Sequence, residues 1–480
     1  MKQFLLSFLL LASMCTAQGQ TFDIDTLLYN GSINNRINYV ILGDGYLQSQ
    51  LPSFVQDAQK LTDDLFKKRP YQEYKNYFNI FCISVPSNEE GAADDPQDLI
   101  DNYFGSTFNY NGIRRLLYPM RTSRIIQVLS NHFPAYDQVI LLVNDAEYGG
   151  AGGWLATAST HEQSNKIAIH ELGHSFAGLA DEYWAGPQFA RETHNMTQET
   201  SPQEVRWKNW MGDAGIGIIA HSDDPSWKKP HNNCKMRSLG KSFCAVCRER
   251  FIRVFHQSVN IIDQYSPSIN DAIKEDMDFS VELLTPQPNT LKSFWHLNGL
   301  PVDSNTNKVN ISDLALRNGQ NTLKYQVYDS TSYDRSSTVY VSSVIWNLST
   351  SVEFPRGCCP AKTLENRDEV GEEDYIEEEE PEEPVVTSIE EVAQNTLALQ
   401  VFPNPTQQHF NIIYTLQRPS DVTLSLFDQK GHFIEEVSFK AKQAGEHQYT
   451  IDMLNYTAGV YFIQFESAHF SEIMRIVKTP

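Results

Sequence analysis

This chain lacks long apolar runs. The stretch from Phe4 to Ala12 is too short to cross a bilayer, which takes about 20 apolar residues, and no other window is long and apolar enough. Helical membrane spans are thereby excluded. Positive charge is scarce too: 38 Lys and Arg stand against 60 Asp and Glu, a formal −22. That balance repels a phosphate backbone and argues against a nucleic-acid binder. Histidine is also rare, with 13 in 480 residues. Two histidines at a defined spacing beside a carboxylate are therefore informative.

A length of 480 residues suggests two to four domains, and a hydrophobic content of 41% suffices for a sizeable core. The negative charge is uneven. Residues 365–391 hold fourteen acidic residues and one Arg, a net −13, which leaves −9 for the rest. The Glu- and Pro-rich segment 351–395 has few aromatics and cannot bury enough apolar area to fold alone. It reads as a disordered, self-repelling linker.

Lys2, the apolar run after it and the small residues around Ala17 and Gly19 read as a signal peptide over residues 1–19. Cys15 raises the question of a lipoprotein, but Met14 stands where a lipobox wants a small residue. Ordinary cleavage is expected. Six cysteines then remain: Cys82, Cys234, Cys244, Cys247, Cys358 and Cys359. Export permits disulfides, and Cys234 with Cys244 or Cys247 is one pairing. Cys244-Ala-Val-Cys247 also reads as half a zinc site or a redox pair. A disulfide or free buried thiols rank above a second zinc, because no second clear ligand pair stands nearby.

The chemistry concentrates in His170-Glu171-Leu172-Gly173-His174. On a helix, positions i and i+4 share a face, so both imidazoles reach one zinc ion. Ile167, Ala168, Ile169, Leu172, Phe176 and Leu179 supply an apolar face, and Ser164 or Asn165 is the expected N-cap. Glu171 is placed to handle protons on a water at the metal. Zinc needs a third protein ligand and an open position. Gly178 allows a turn back toward the metal, which makes Asp181 the natural third ligand. Glu182 is the competitor, and a more distant residue remains open. Tyr183 is a candidate donor to a developing oxyanion.

These residues resemble the signature of the IgA-peptidase family of bacterial zinc metallopeptidases. The resemblance extends to Leu42-Gly43-Asp44-Gly45-Tyr46, to Tyr77-Phe78-Asn79-Ile80-Phe81 with the acidic stretch Glu89 to Asp95, and to Val139 to Asn144 leading to Tyr148-Gly149-Gly150-Ala151-Gly152-Gly153. It implies a zincin-like α/β catalytic domain over residues 20–270, one catalytic zinc and endopeptidase activity on a protein or peptide substrate. It does not imply immunoglobulin as that substrate. Asn233 to Gly240 resembles a Met-turn, with Met236 as a floor beneath the metal. Leu155 to Thr160 reads either as an edge strand that binds substrate backbone or as part of a plain structural turn. His221, His231 and His256 are weaker candidates for substrate contact.

Downstream, period-two alternation in Asp278–Leu283, Thr322–Tyr328 and Thr338–Trp346 predicts a small β-sandwich over 277–350. Residues 396–480 read as a further β module. Its Pro403-Asn404-Pro405 entry, Phe427-Asp428-Gln429-Lys430-Gly431 hairpin and Ala458-Gly459-Val460-Tyr461-Phe462 strand resemble a type IX secretion C-terminal sorting domain. That implies passage through the periplasm by this secretion machinery, to the medium or cell surface of a Gram-negative bacterium. The rival reading is a non-catalytic surface binding protein with a structural zinc.

Overall fold

The computed structural model describes residues 21–350 and 400–478, except 214, 270–276, 337–338, 403–405, 407, 417–418, 429–432, 458 and 468–469. The expected signal peptide, the acidic segment 351–395, Cys15, Cys358 and Cys359 lie outside the described residues. The molecule is multidomain and mostly β, with several separate sheets and four α-helices among the described residues.

The first body is built on β1 (Asp23–Leu28), β2 (Ile37–Asp44), β3 (Phe78–Ser84), a small ribbon of β4 (Ser106–Thr107) and β5 (Tyr118–Pro119), then β6 (Gln138–Val143), β7 (Gly150–Ala151) and β8 (Ala156–Ser159). Six of these form one sheet in the order β1-β3-β2-β6-β8-β7. Strands β3, β2, β6 and β8 are parallel, and the two edges are antiparallel. Every residue of β2, β3 and β6 is buried. Continuous apolar runs of this kind belong to a sheet covered on both faces.

Alternation along β2 divides the core. Tyr39 and Ile41 face α1 (Leu51–Leu65), α3 (Ser164–Ser175) and α4 (Ala245–Ser258), through Phe54, Leu61, Ile167, Leu172, Phe251 and Phe255. Val40 and Leu42 face α2 (Thr122–His132), through Ile125, Val128 and Leu129. At the end of β2, Asp44 is fully buried and accepts from the Phe104 and Ser106 amides and the Ser87 hydroxyl, at 3.0–3.1 Å. Burial raises its pKa, and these donors oppose the rise. Gly45 has φ +69°, and a Cβ there would strike the Gly91 backbone. The Gly-Asp-Gly stretch is thus the anchor of the loop between β3 and β4.

Leu155 to Thr160 does not supply a free edge. Strand β8 lies between β6 and β7, and the edge is Gly150–Ala151. The glycines at 149–153 let the chain double back over β8. A Cβ on Gly150 would collide with the Ile167 side chain. Glycine here permits close packing on the metal-motif helix.

A β-sandwich follows. Its sheets are Ile262–Ser266, Asp278–Leu283 and Lys308–Asn310, and Leu300–Ser304, Leu291–Leu297, Gly319–Asp329 and Val341–Thr350. They share a core of Phe279, Trp295, Tyr325, Trp346 and aliphatic neighbours. Strand Ile262–Ser266, inside the expected peptidase segment, pairs into this module. Asn298 and Gly299 both have positive φ, as a two-residue type I′ hairpin requires.

The sandwich docks on the first body through polar contacts. Asp329 receives the Tyr74 and Thr290 hydroxyls, and His256 Nε2 lies 3.2 Å away. Arg36 pairs with both oxygens of Asp263, each at 2.7 Å. The C-terminal module is a second sandwich, with Phe410, Ile412, Leu424, Leu426, Ile463 and Phe465 in a core of its own.

Candidate metal centre

Helix α3 starts at Ser164 with Gln163 as its N-cap, so neither Ser164 nor Asn165 caps it. The sheet packing of Ile167, Ala168 and Leu172 holds it instead. Its end is defined by Gly178 at φ +62°, with the Gly178 amide bonded to His174 O and the Leu179 amide to Gly173 O. This left-handed turn reverses the chain and brings Asp181 back to the imidazoles.

Three donor atoms meet there. His170 Nε2 and His174 Nε2 are 3.2 Å apart, and Asp181 Oδ1 lies 3.1 and 3.3 Å from them. Three ligands at bonds of about 2.0–2.1 Å in a tetrahedron are separated by about 3.3 Å. The other ring nitrogens are occupied: His170 Nδ1 donates to Lys235 O at 3.0 Å and His174 Nδ1 to Leu179 O at 2.8 Å. With Nδ1 carrying the proton, each Nε2 presents a lone pair. Asp181 Oδ1 is buried with no hydrogen-bond partner. A buried carboxylate oxygen facing two lone pairs is costly alone and suited to a cation. The donor set fits a divalent metal ion. Burial lowers the His174 pKa, but the Asp181 carboxylate overrides it and holds it at about 9; a cation bound between them takes that proton's place, because a ligating imidazole must be neutral.

Residues 26–218 match the IgA Peptidase M64 family model. This M64 segment contains the trio, Glu171 and Tyr183, and ends before the Met236 turn and α4. Residues 400–479 match the Secretion system C-terminal sorting domain. The chain is therefore a secreted or cell-surface protein of a Gram-negative bacterium. Together the two matches suggest a secreted metallopeptidase. No curated protein matches the chain. Among solved structures, latent PorU from Porphyromonas gingivalis is 10% identical over 45% of this chain and 20% of its own, at TM-score 0.16. The Bacteroides ovatus mixed-linkage glucan protein SGBP-B is 14% identical over 45% and 47%, at 0.13. A Parabacteroides merdae beta-glucuronidase is 8% identical over 53% and 28%, at 0.14. The chain spans less than half of each, and at such scores these likenesses carry no argument.

Within the M64 segment, Glu171 stands on a half-buried flank of α3, facing β7. A Cβ on Gly152 would lie 2.8 Å from Glu171 Oε2 and 2.7 Å from the His174 Cβ. Glycine at 152 thus leaves free the space over the carboxylate and the metal trio. Burial raises the Glu171 pKa, against the attraction of the two imidazoles. The Tyr183 hydroxyl is 3.4 Å from an Arg115 nitrogen, and burial, then the Asp181 charge, raise its pKa. Met236 is buried against Gly173, between the two histidines in sequence, and a Cβ at 173 would collide with its sulfur.

Glu182 turns away from the trio. It is fully buried and faces Cys234, Cys244 and Cys247, all free thiols. Of the weaker histidines, His256 belongs to the Asp329 seam and His231 bonds the Asn233 amide. His221 packs edge-on to Trp184, and both its nitrogens are buried without partners. Burial, then Lys229, lowers its pKa to about 4, so it is neutral. Arg115 was not foreseen, and the place of Gly152 over Glu171 and His174 depends on contacts across the fold.

Proposed function

We propose that the chain is a secreted zinc-dependent endopeptidase with a zincin-like catalytic domain. The observation that carries this reading is the His170, His174 and Asp181 trio, with Glu171 beside it and one side open toward Gly152. His170, His174 and Asp181 would hold the ion. Zinc, when bound, supplies Lewis acidity and brings the pKa of a water in its open position to about 7.

The rest of the chemistry belongs to the chain. Glu171 accepts a proton from the attacking water and returns it to the leaving amine. Its burial-raised pKa suits both steps. Tyr183 donates a hydrogen bond to the carbonyl oxygen as negative charge develops, and Arg115 orients that hydroxyl. His221, neutral and unpartnered, is a second candidate donor. The Gly150 amide and carbonyl are taken by Arg115 and Leu117, so the backbone from Gly152 onward is what this edge offers to an extended peptide.

The rival reading, a surface binding protein with a structural zinc, needs a fourth protein ligand to close the trio. Glu182 was the nearest candidate for that place and faces the cysteines instead. The test is cleavage of an unfolded protein by the full chain, with and without a chelator, then with zinc restored. Chelator-sensitive, zinc-restored cleavage is expected. Zinc-loaded protein with no cleavage would leave the binding reading standing.

A further inference from the structure

The Asp181-Glu182 pair divides between two clusters, and the second has no part in the chemistry above. Glu182, Cys234 and Cys247 are fully buried, and Cys244 is 8% exposed. One donor atom from each lies within 4.8 Å of the others. Cys234 Sγ and Cys247 Sγ are 3.7 Å apart, while Glu182 Oε1 is 3.2 Å from Cys247 Sγ and 3.8 Å from Cys244 Sγ. A tetrahedron with metal–sulfur bonds of about 2.3 Å has edges of about 3.8 Å, shorter where an oxygen replaces a sulfur. The Cys234–Cys247, Cys247–Glu182 and Cys244–Glu182 separations lie near that spacing, and the other pairs lie within 4.8 Å.

We propose that Glu182, Cys234, Cys244 and Cys247 bind a second metal ion, a structural zinc. Three thiolates select a soft or borderline cation over magnesium or calcium. Four protein donors in a buried shell leave no position for water, which is the pattern of a structural site. Glu182 Oε2 is buried without a hydrogen-bond partner. Supporting groups surround the cluster. The Cys244 amide donates to Cys234 Sγ at 3.3 Å, Asn195 donates to Glu182 Oε1 at 3.3 Å, and Lys229 Nζ caps the Glu182 carbonyl at 2.6 Å. A lysine charge and amide donors offset the net negative charge of three thiolates and a carboxylate around one divalent ion.

The alternatives fit less well. Any disulfide uses two thiols and leaves the third buried beside a carboxylate. A redox Cys-x-x-Cys pair needs an accessible thiol, and here Cys247 is fully buried and Cys244 only 8% exposed. The second ion also has a task. The Glu182 amide donates to Met236 O at 2.8 Å, and the adjacent Lys235 carbonyl orients His170. Fixing Glu182 and Cys234 therefore fixes both the third ligand's backbone and the partner of the first.

The test is a metal count on the full chain, purified without chelator. Two zinc ions per chain are expected in the wild type, one in H170A/H174A, and a lower count in C244S/C247S. Cobalt loaded into H170A/H174A should show a sulfur-to-cobalt charge-transfer band. Alkylation after denaturation in chelator, without reductant, should label Cys234, Cys244 and Cys247. A metal-free H170A/H174A, no such band, or a disulfide among the three would overturn the proposal. If C244S/C247S does not fold, the H170A/H174A count and the cobalt spectrum still decide. One zinc in both wild type and H170A/H174A would support this site and refute the trio instead.

Discussion

Glu171 and the metal trio separate two roles that a single substitution can distinguish. E171Q keeps the shape and removes the proton acceptor. Activity should fall by at least about 10²-fold, with metal content equal to wild type by mass spectrometry. Undiminished cleavage would remove Glu171 from the mechanism. H174A deletes a donor, so its metal occupancy should fall together with activity. In the proposed mechanism Tyr183 acts only as charge develops on the carbonyl oxygen. Y183F should lower kcat by about 10²-fold with little change in KM. A rise in KM at constant kcat would make Tyr183 a binding residue. Gly152 tests the open side of the site: a methyl there meets Glu171 and His174 at 2.7–2.8 Å, so G152A should depress cleavage by at least about tenfold.

At the scale of elements, the candidate metal centre is a helix, a left-handed turn and a distant floor. G173A places a methyl against the Met236 sulfur. Overpacking of this kind costs about 1–3 kcal/mol, so thermal unfolding should show a lower Tm. G173A/M236A, with room restored, should recover part of the loss; equal Tm values for G173A and wild type would mean the turn is not packed on the helix. The helix and trio were legible because the evidence is local: His170 and His174 share a face, and Gly178 sets the turn that returns Asp181. The choice of Asp181 over Glu182 rested on the turn geometry. The cysteine cluster was legible only in part: the three thiols were read together as a disulfide pairing or half a zinc site, and Glu182 was read toward the other site. Cys244 and Cys247 are close in sequence, but Glu182 and Cys234 reach them only through the fold. Which strand forms the edge depends on pairing partners, so Leu155 to Thr160 looked as suitable as Gly150–Ala151. Leu300–Ser304 went unread as a strand because all five residues are exposed, which leaves no alternation to detect.

The whole molecule joins its first body to a sandwich through a buried carboxylate, and joins its secretion to a module with a separate core. Burial raises the Asp329 pKa, but hydrogen bonds from His256, Thr290 and Tyr74 outweigh it and hold the group below the usual range. A carboxylate depressed in the folded state adds stability above its unfolded pKa of about 3.9 and loses it as pH falls through the folded value. Wild-type Tm should therefore drop as pH falls below about 4, and D329N should show a shallower drop from a lower plateau. Parallel curves would mean Asp329 does not couple the modules to pH. The C-terminal module gives a prediction of another kind. Its core draws only on residues after 400, and the other three cores draw on residues before 350. A unit with its own core can fold without its neighbour. Deleting residues 397–480 should thus leave a folded protease that accumulates in the periplasm, read by immunoblot and cleavage assay of periplasm against surface and medium. Delivery of the truncated chain to the surface would refute sorting by this module. Loss of folded protein from every fraction would instead make the module part of the enzyme, against the separation of the cores.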